Sequence, residues 1–147
     1  MLKVEIEIKP GLKEPNMIIY TDEITKEIQQ LADRVSHTQN KILTGIRDQK
    51  IFLLNPEDIY CFYSENQKVF AKLERETLWV KLKLYELEEM FGGTSYVRVS
   101  NSCIVNIDKI RNLELSYSGT IEINFKNGEK EFVSRRFVPK IKKYLGI

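Results

Sequence analysis

Leu2, Val4, Ile6 and Ile8 interleave with Lys3, Glu5, Glu7 and Lys9 at the start of the chain. A period of two predicts a strand over 2–9 with one buried face. Pro10-Gly11 ends it, and residues 17–20 predict a second short strand. The period then lengthens. Ile24, Ile28, Leu31 and Val35 recur at helical spacing, which predicts an amphipathic helix with Thr21, Asp22 or Thr25 available as its N-cap. Residues 36–41 form a polar connector that holds the single histidine, His37, expected to be solvated. They separate an N-terminal strand–helix arm, 1–41, from a body, 42–147.

Strand patterns dominate the body. Residues 42–46 and 51–54 flank a polar turn, 59–63 is a short apolar run suited to a central strand, and 69–73 and 77–82 follow. Helical spacing returns over 84–91, where Leu84, Leu87 and Phe91 share a face and Gly92-Gly93 stops it. Residues 110–117 and 120–125 pair across Ser118-Gly119, and Asn127-Gly128 predicts a tight hairpin into 130–133. Pro139 suits the first turn of a closing helix that runs to Leu145, which leaves 134–138 as a turn with exposed arginines. Many short strands and few helices predict a mainly β protein with minor α, whose functional surface is the loops at strand ends.

Composition narrows the class. At 147 residues, 42% hydrophobic and 30% charged, the chain can bury a core beneath an ordinary soluble surface. It holds no apolar run long enough to span a bilayer and no continuous signal-peptide core, so a cytoplasmic location is expected. Cys61 and Cys103 sit among apolar residues and are expected to be buried and reduced. Net charge is only +2, but its distribution is uneven. Residues 1–97 carry 13 Lys/Arg against 16 Asp/Glu, whereas 98–147 carry 10 against 5. A basic end on a near-neutral body suits a face that approaches phosphates. Basic C-terminal helices are also common for dipole reasons alone.

The chemistry of catalysis is missing from the pattern. No Cys/His cluster has metal-ligand spacing, and neither a Gly-rich phosphate loop nor a nucleophile motif occurs, so no enzyme activity, metal or cofactor is expected. Tyr60, Phe62, Tyr63 and Phe70 could form a stacking platform for single strands. Tyr60 and Phe62, however, share strand parity with core-facing positions, and core packing is the expected fate.

Polar side chains gather instead at strand ends, in Tyr96-Val-Arg-Val-Ser-Asn-Ser-Cys-Ile-Val-Asn106 and in Val133-Ser-Arg-Arg-Phe137. Arginine matches guanine O6/N7, asparagine matches adenine N6/N7, and serine matches phosphate oxygen. These two segments, with Ile51-Phe-Leu-Leu-Asn-Pro-Glu-Asp-Ile-Tyr-Cys-Phe-Tyr-Ser-Glu-Asn66 and Leu84-Tyr-Glu-Leu-Glu-Glu-Met-Phe91, resemble the LytTR DNA-binding domain over about residues 42–147.

The resemblance implies elongated antiparallel β-sheets in which loops, not a recognition helix, enter successive major grooves of double-stranded DNA. It implies base contacts at Asn101 and Arg136, and a third at Asn66 or Gln67. Arg98, Ser100, Ser102, Arg135 and Lys68 then become phosphate or positioning groups, joined by the basic Lys140 and Lys143. Many members carry histidine or arginine where this chain has Ser100, which weakens that contact here. Asn106 is read as structural, its amide tying down the turn before Asp108. With about 41 residues ahead of the domain there is no room for a receiver, so the chain looks like a stand-alone transcription regulator. The arm would suit a homodimer on two repeated half-sites, and a membrane-bound inhibitory partner accompanies many stand-alone members. The competing reading is a protein–protein interaction module that keeps the fold without binding DNA.

Overall fold

The computed structural model describes residues 2–36 and 42–147. Residues 37–41 of the connector, His37 among them, lie outside the described residues. The chain divides into two units, Met1–Lys41 and Ile42–Ile147.

In the first unit the expected helix forms and the expected strands do not. Helix α1 (Lys26–Ser36) starts at Thr25, whose Oγ1 accepts from Ile28 N at 3.2 Å. Thr25 is therefore the cap among the three candidates. Gln29 and Asp33 pair one turn apart on its exposed side, at 3.0 Å. Residues 2–9 and 17–20 are neither strand nor helix, and Leu2, Val4, Ile6 and Ile8 are exposed. Alternation prepares one face for burial, but a strand also needs a neighbour to complete its ladder hydrogen bonds. Among the described residues these segments have no such neighbour.

The second unit is β-dominated. Strands β1 (Leu43–Arg47), β2 (Lys50–Leu54), β3 (Cys61–Glu65), β4 (Lys68–Lys72), β5 (Thr77–Val80), β6 (Tyr96–Ser100) and β7 (Cys103–Asn106) make one sheet in the order β2-β1-β5-β4-β3-β7-β6. Every pairing in it is antiparallel. Strands β8 (Ile110–Leu115), β9 (Ile121–Phe125) and β10 (Lys130–Val133) make a second antiparallel sheet. Helix α2 (Leu84–Met90) follows β5, and α3 (Val138–Leu145) closes the chain.

Two cores result, because the large sheet is covered on both faces near β3, β7 and β6. On one face Phe62, Ile104, Leu78 and Val80 pack under Leu84, Leu87 and Phe91 of α2 and its end. On the other, Cys61, Val97, Val99, Cys103 and Val105 meet Ile121, Ile123, Phe125 and Val133 of the small sheet and Ile141 of α3. Tyr60 and Phe62 are both buried as expected, but in different cores. Tyr60 and Cys61 both stand opposite Lys72, with Tyr60 N donating to Lys72 O at 2.7 Å. That extra residue breaks the parity between them.

Asn106, only 2% exposed, pins the junction of the strands. Its Nδ2 donates to Ile59 O at 2.9 Å. Its Oδ1 accepts from Asp108 N at 3.1 Å and from Ser95 Oγ at 2.9 Å.

Candidate nucleic-acid interface

The turn between β6 and β7 is short because a bulge precedes it. Arg98 pairs with Ile104 and Ser100 with Cys103, so Val99 is the extra residue and Asn101-Ser102 are left to reverse the chain. The bulge also recruits the second polar segment. Val99 O, turned out of the ladder, accepts from Ser134 N at 2.9 Å. Ser134 follows β10 directly and opens the single turn Arg135–Phe137. Two segments about thirty residues apart are thus joined through the backbone. Arg136 Nη2 consequently lies 3.5 Å from Asn101 Oδ1, with both side chains exposed. The guanidinium also lies over the Phe137 ring, 5.6 Å from its centroid, a contact that limits its swing.

Arg98 points the other way, towards α2. Its Nε donates to Ser100 O at 2.7 Å, its Nη2 to Asn101 O at 2.5 Å, and its Nη1 to Glu88 Oε2 at 2.8 Å. Ser100 is also engaged locally: its Oγ accepts from Ser102 N at 3.2 Å and lies 3.3 Å from Ser102 Oγ. Lys140 stands 3.7 Å from the other oxygen of Glu88, an exposed pair of little energetic weight. Arg135 and Lys143 are exposed on the turn and on α3.

Asn66 and Gln67 form the tip of the β3–β4 hairpin, both left-handed at φ 50° and 63°. β3 and β6 run in the same direction, each antiparallel to β7, so this tip and the Asn101 turn lie at the same end of the sheet. Ser64 N ties them by donating to Ser102 O at 2.8 Å. Lys68 extends from the tip over the Trp79 ring, 5.1 Å from its centroid, and Lys81 approaches the same ring at 5.9 Å. Lys81 carries no signal in the sequence that marks it for this site. Its tertiary position beside Lys68 follows from the β4–β5 register, which pairs Val69 with Val80. Glu88, one of the carboxylates on α2, is placed by the same kind of long-range geometry. No local signal marks it, because its partners are ten or more residues away.

Cys61 and Cys103 are free and buried. Contact with Cys61, then burial, pushes the Cys103 thiol up from its ordinary range, so it is held as an unreactive neutral group. Among the described residues, no group of three or more His, Cys, Asp and Glu is arranged to hold a metal ion, and no helix is long and apolar enough to cross a membrane.

Fold and site together define a β-sheet protein that presents amides and guanidinium groups on converging strand-end turns. The chain belongs to the LytTR family: the model of the LytTr DNA-binding domain matches residues 49–146. That makes it a DNA-binding-domain protein rather than an enzyme. An uncharacterized HTH-type transcriptional regulator of Staphylococcus aureus strain MRSA252 is 30% identical over 148 residues, covering all of both chains. A regulator of the same description from strain NCTC 8325 / PS 47 is 29% identical over the same span. A solved LytTr DNA-binding domain from Bacillus cereus superposes with a TM-score of 0.70 at 23% identity, covering 74% of this chain and all of that one. The helix-turn-helix in the relatives' names has no counterpart in the described body, where α2 and α3 are short and five strands apart.

Proposed function

We propose that this protein is a sequence-specific transcription regulator that reads the major groove of double-stranded DNA with its strand-end turns. The observation that carries the reading is the convergence of Asn101 and Arg136, held within 3.5 Å of each other and exposed. An asparagine amide and a guanidinium are the side chains suited to adenine N6/N7 and guanine O6/N7. Asn66 and Gln67, at the same end of the sheet, supply a further contact. Ser102, Arg135, Lys68, Lys140 and Lys143 supply phosphate contacts that fix register without reading sequence. The helices are poor candidates for the groove. Leu84, Leu87 and Ile141 commit the apolar faces of α2 and α3 to the two cores.

The full-length match to proteins named as transcriptional regulators supports regulation as the outcome of binding. The exposed apolar residues of the arm support a homodimer on two repeated half-sites, with the arm as its contact. Arg136→Ala and Asn101→Ala should each weaken binding to a specific duplex by about 1–3 kcal/mol while leaving binding to unrelated duplex unchanged. A gel-shift titration in which both variants bind the specific duplex as tightly as wild type would remove these residues from the reading.

A further inference from the structure

Glu88 is an acid among the cations that surround the proposed reading turn. An acid there opposes phosphate binding, yet its geometry is built. It accepts from Arg98 at 2.8 Å through one carboxylate oxygen and faces Lys140 with the other. Arg98 in turn directs all three guanidinium nitrogens inward, and its side chain is only 14% exposed. A guanidinium is planar and presents its donors in a fixed fork. Anchoring Nη1 on Glu88 therefore fixes the plane in which Nε and Nη2 meet the carbonyls of Ser100 and Asn101. The Ser100 carbonyl belongs to the last ladder pair, Ser100 with Cys103, just past the bulge, and the Asn101 carbonyl to the turn itself, which lies outside the ladder.

We infer that Glu88 and Arg98 form a positioning pair that sets DNA specificity: the carboxylate orients the guanidinium, and the guanidinium fixes the backbone from which Asn101 presents its amide. Arg98 is then not a phosphate contact, and Glu88 on α2 controls sequence discrimination without touching DNA. This rests on the base-reading role proposed for Asn101 and Arg136.

The test measures affinity of the full chain for two duplexes over a range of salt: one selected by the protein from a random pool, and one of scrambled sequence. Arg98→Lys keeps the charge, but a single ammonium cannot span three acceptors in fixed directions. The ratio of specific to scrambled affinity should fall about tenfold or more, with the salt dependence unchanged. Glu88→Ala, at an exposed helical site where alanine favours the helix, should lower the same ratio. Glu88→Gln, which retains an acceptor oxygen, should restore part of it. The double variant Arg98→Lys/Glu88→Ala should be no worse than Arg98→Lys alone, since the two act in series.

A wild-type ratio in Glu88→Ala, or tighter binding of both duplexes by Glu88→Ala and Glu88→Gln alike, would overturn the inference. If Arg98→Lys lowers the unfolding midpoint, the Glu88 variants decide. Arg136→Ala in the same titration separates the two levels. A wild-type ratio there sinks the base-reading role itself, whereas a lowered ratio beside a normal Glu88→Ala ratio sinks only the positioning pair.

Discussion

Asn101 and Asn106 carry the same amide five residues apart and have opposite fates. Asn106 uses its oxygen on Asp108 N and Ser95 Oγ and its nitrogen on Ile59 O, all inside the fold. The Asn101 side chain is exposed, with a long contact from Arg136 to its oxygen. The Asp108 bond could be expected from sequence, because a two-residue reach is a local property of asparagine. The Ile59 bond could not, since it joins residues 47 apart. Truncation at Asn106 takes the acceptor from Asp108 N and leaves Ile59 O with a long 3.4 Å contact from the Tyr96 hydroxyl, at about 1–3 kcal/mol for each group left unsatisfied. Asn106→Ala should lower the denaturant midpoint clearly, while the folded fraction still binds duplex DNA. A midpoint equal to wild type would mean that water replaces the amide at no cost.

At the scale of elements, the body and the helix of the arm were legible and the strands expected in the arm were not. In the body, alternation marks the faces of strands whose neighbours lie close in sequence, and β8, β9 and β10 pair through successive hairpins. The arm has equally regular alternation but no ladder among the described residues. Turn length was also hidden. The strand patterns over 59–63 and 69–73 leave five polar residues between them, yet only Asn66-Gln67 reverse the chain, without the glycine that marks such turns. A left-handed non-glycine residue costs about 1–2 kcal/mol. Gln67→Gly should therefore stabilise the hairpin by up to about 1 kcal/mol in urea unfolding. If Gln67 also contacts DNA, the same substitution should weaken specific binding, so strain would be kept at the site for function. An unchanged or lowered stability would show that the turn is not strained.

For the whole molecule, the decisive features are long-range. The sequence marks two polar segments, but only the bulge at Val99, with its carbonyl given to Ser134, explains why they meet. The Arg98–Glu88 contact was invisible for the same reason: it depends on which face of β6 looks at α2. The proposed dimer belongs to this scale too. Sedimentation of the full chain and of residues 42–147 should give a dimer and a monomer respectively, and a monomer in both would discard the arm as the dimer contact.

Selection of bound duplexes from a random pool, run in parallel with wild type and Arg136→Ala, tests the central claim most directly. Wild type should enrich a defined motif. Arg136→Ala should enrich the same motif with the preference for guanine lost at one position of each half-site and the other positions kept. An identical motif from both proteins would contradict the claim that the Asn101–Arg136 ledge reads base edges.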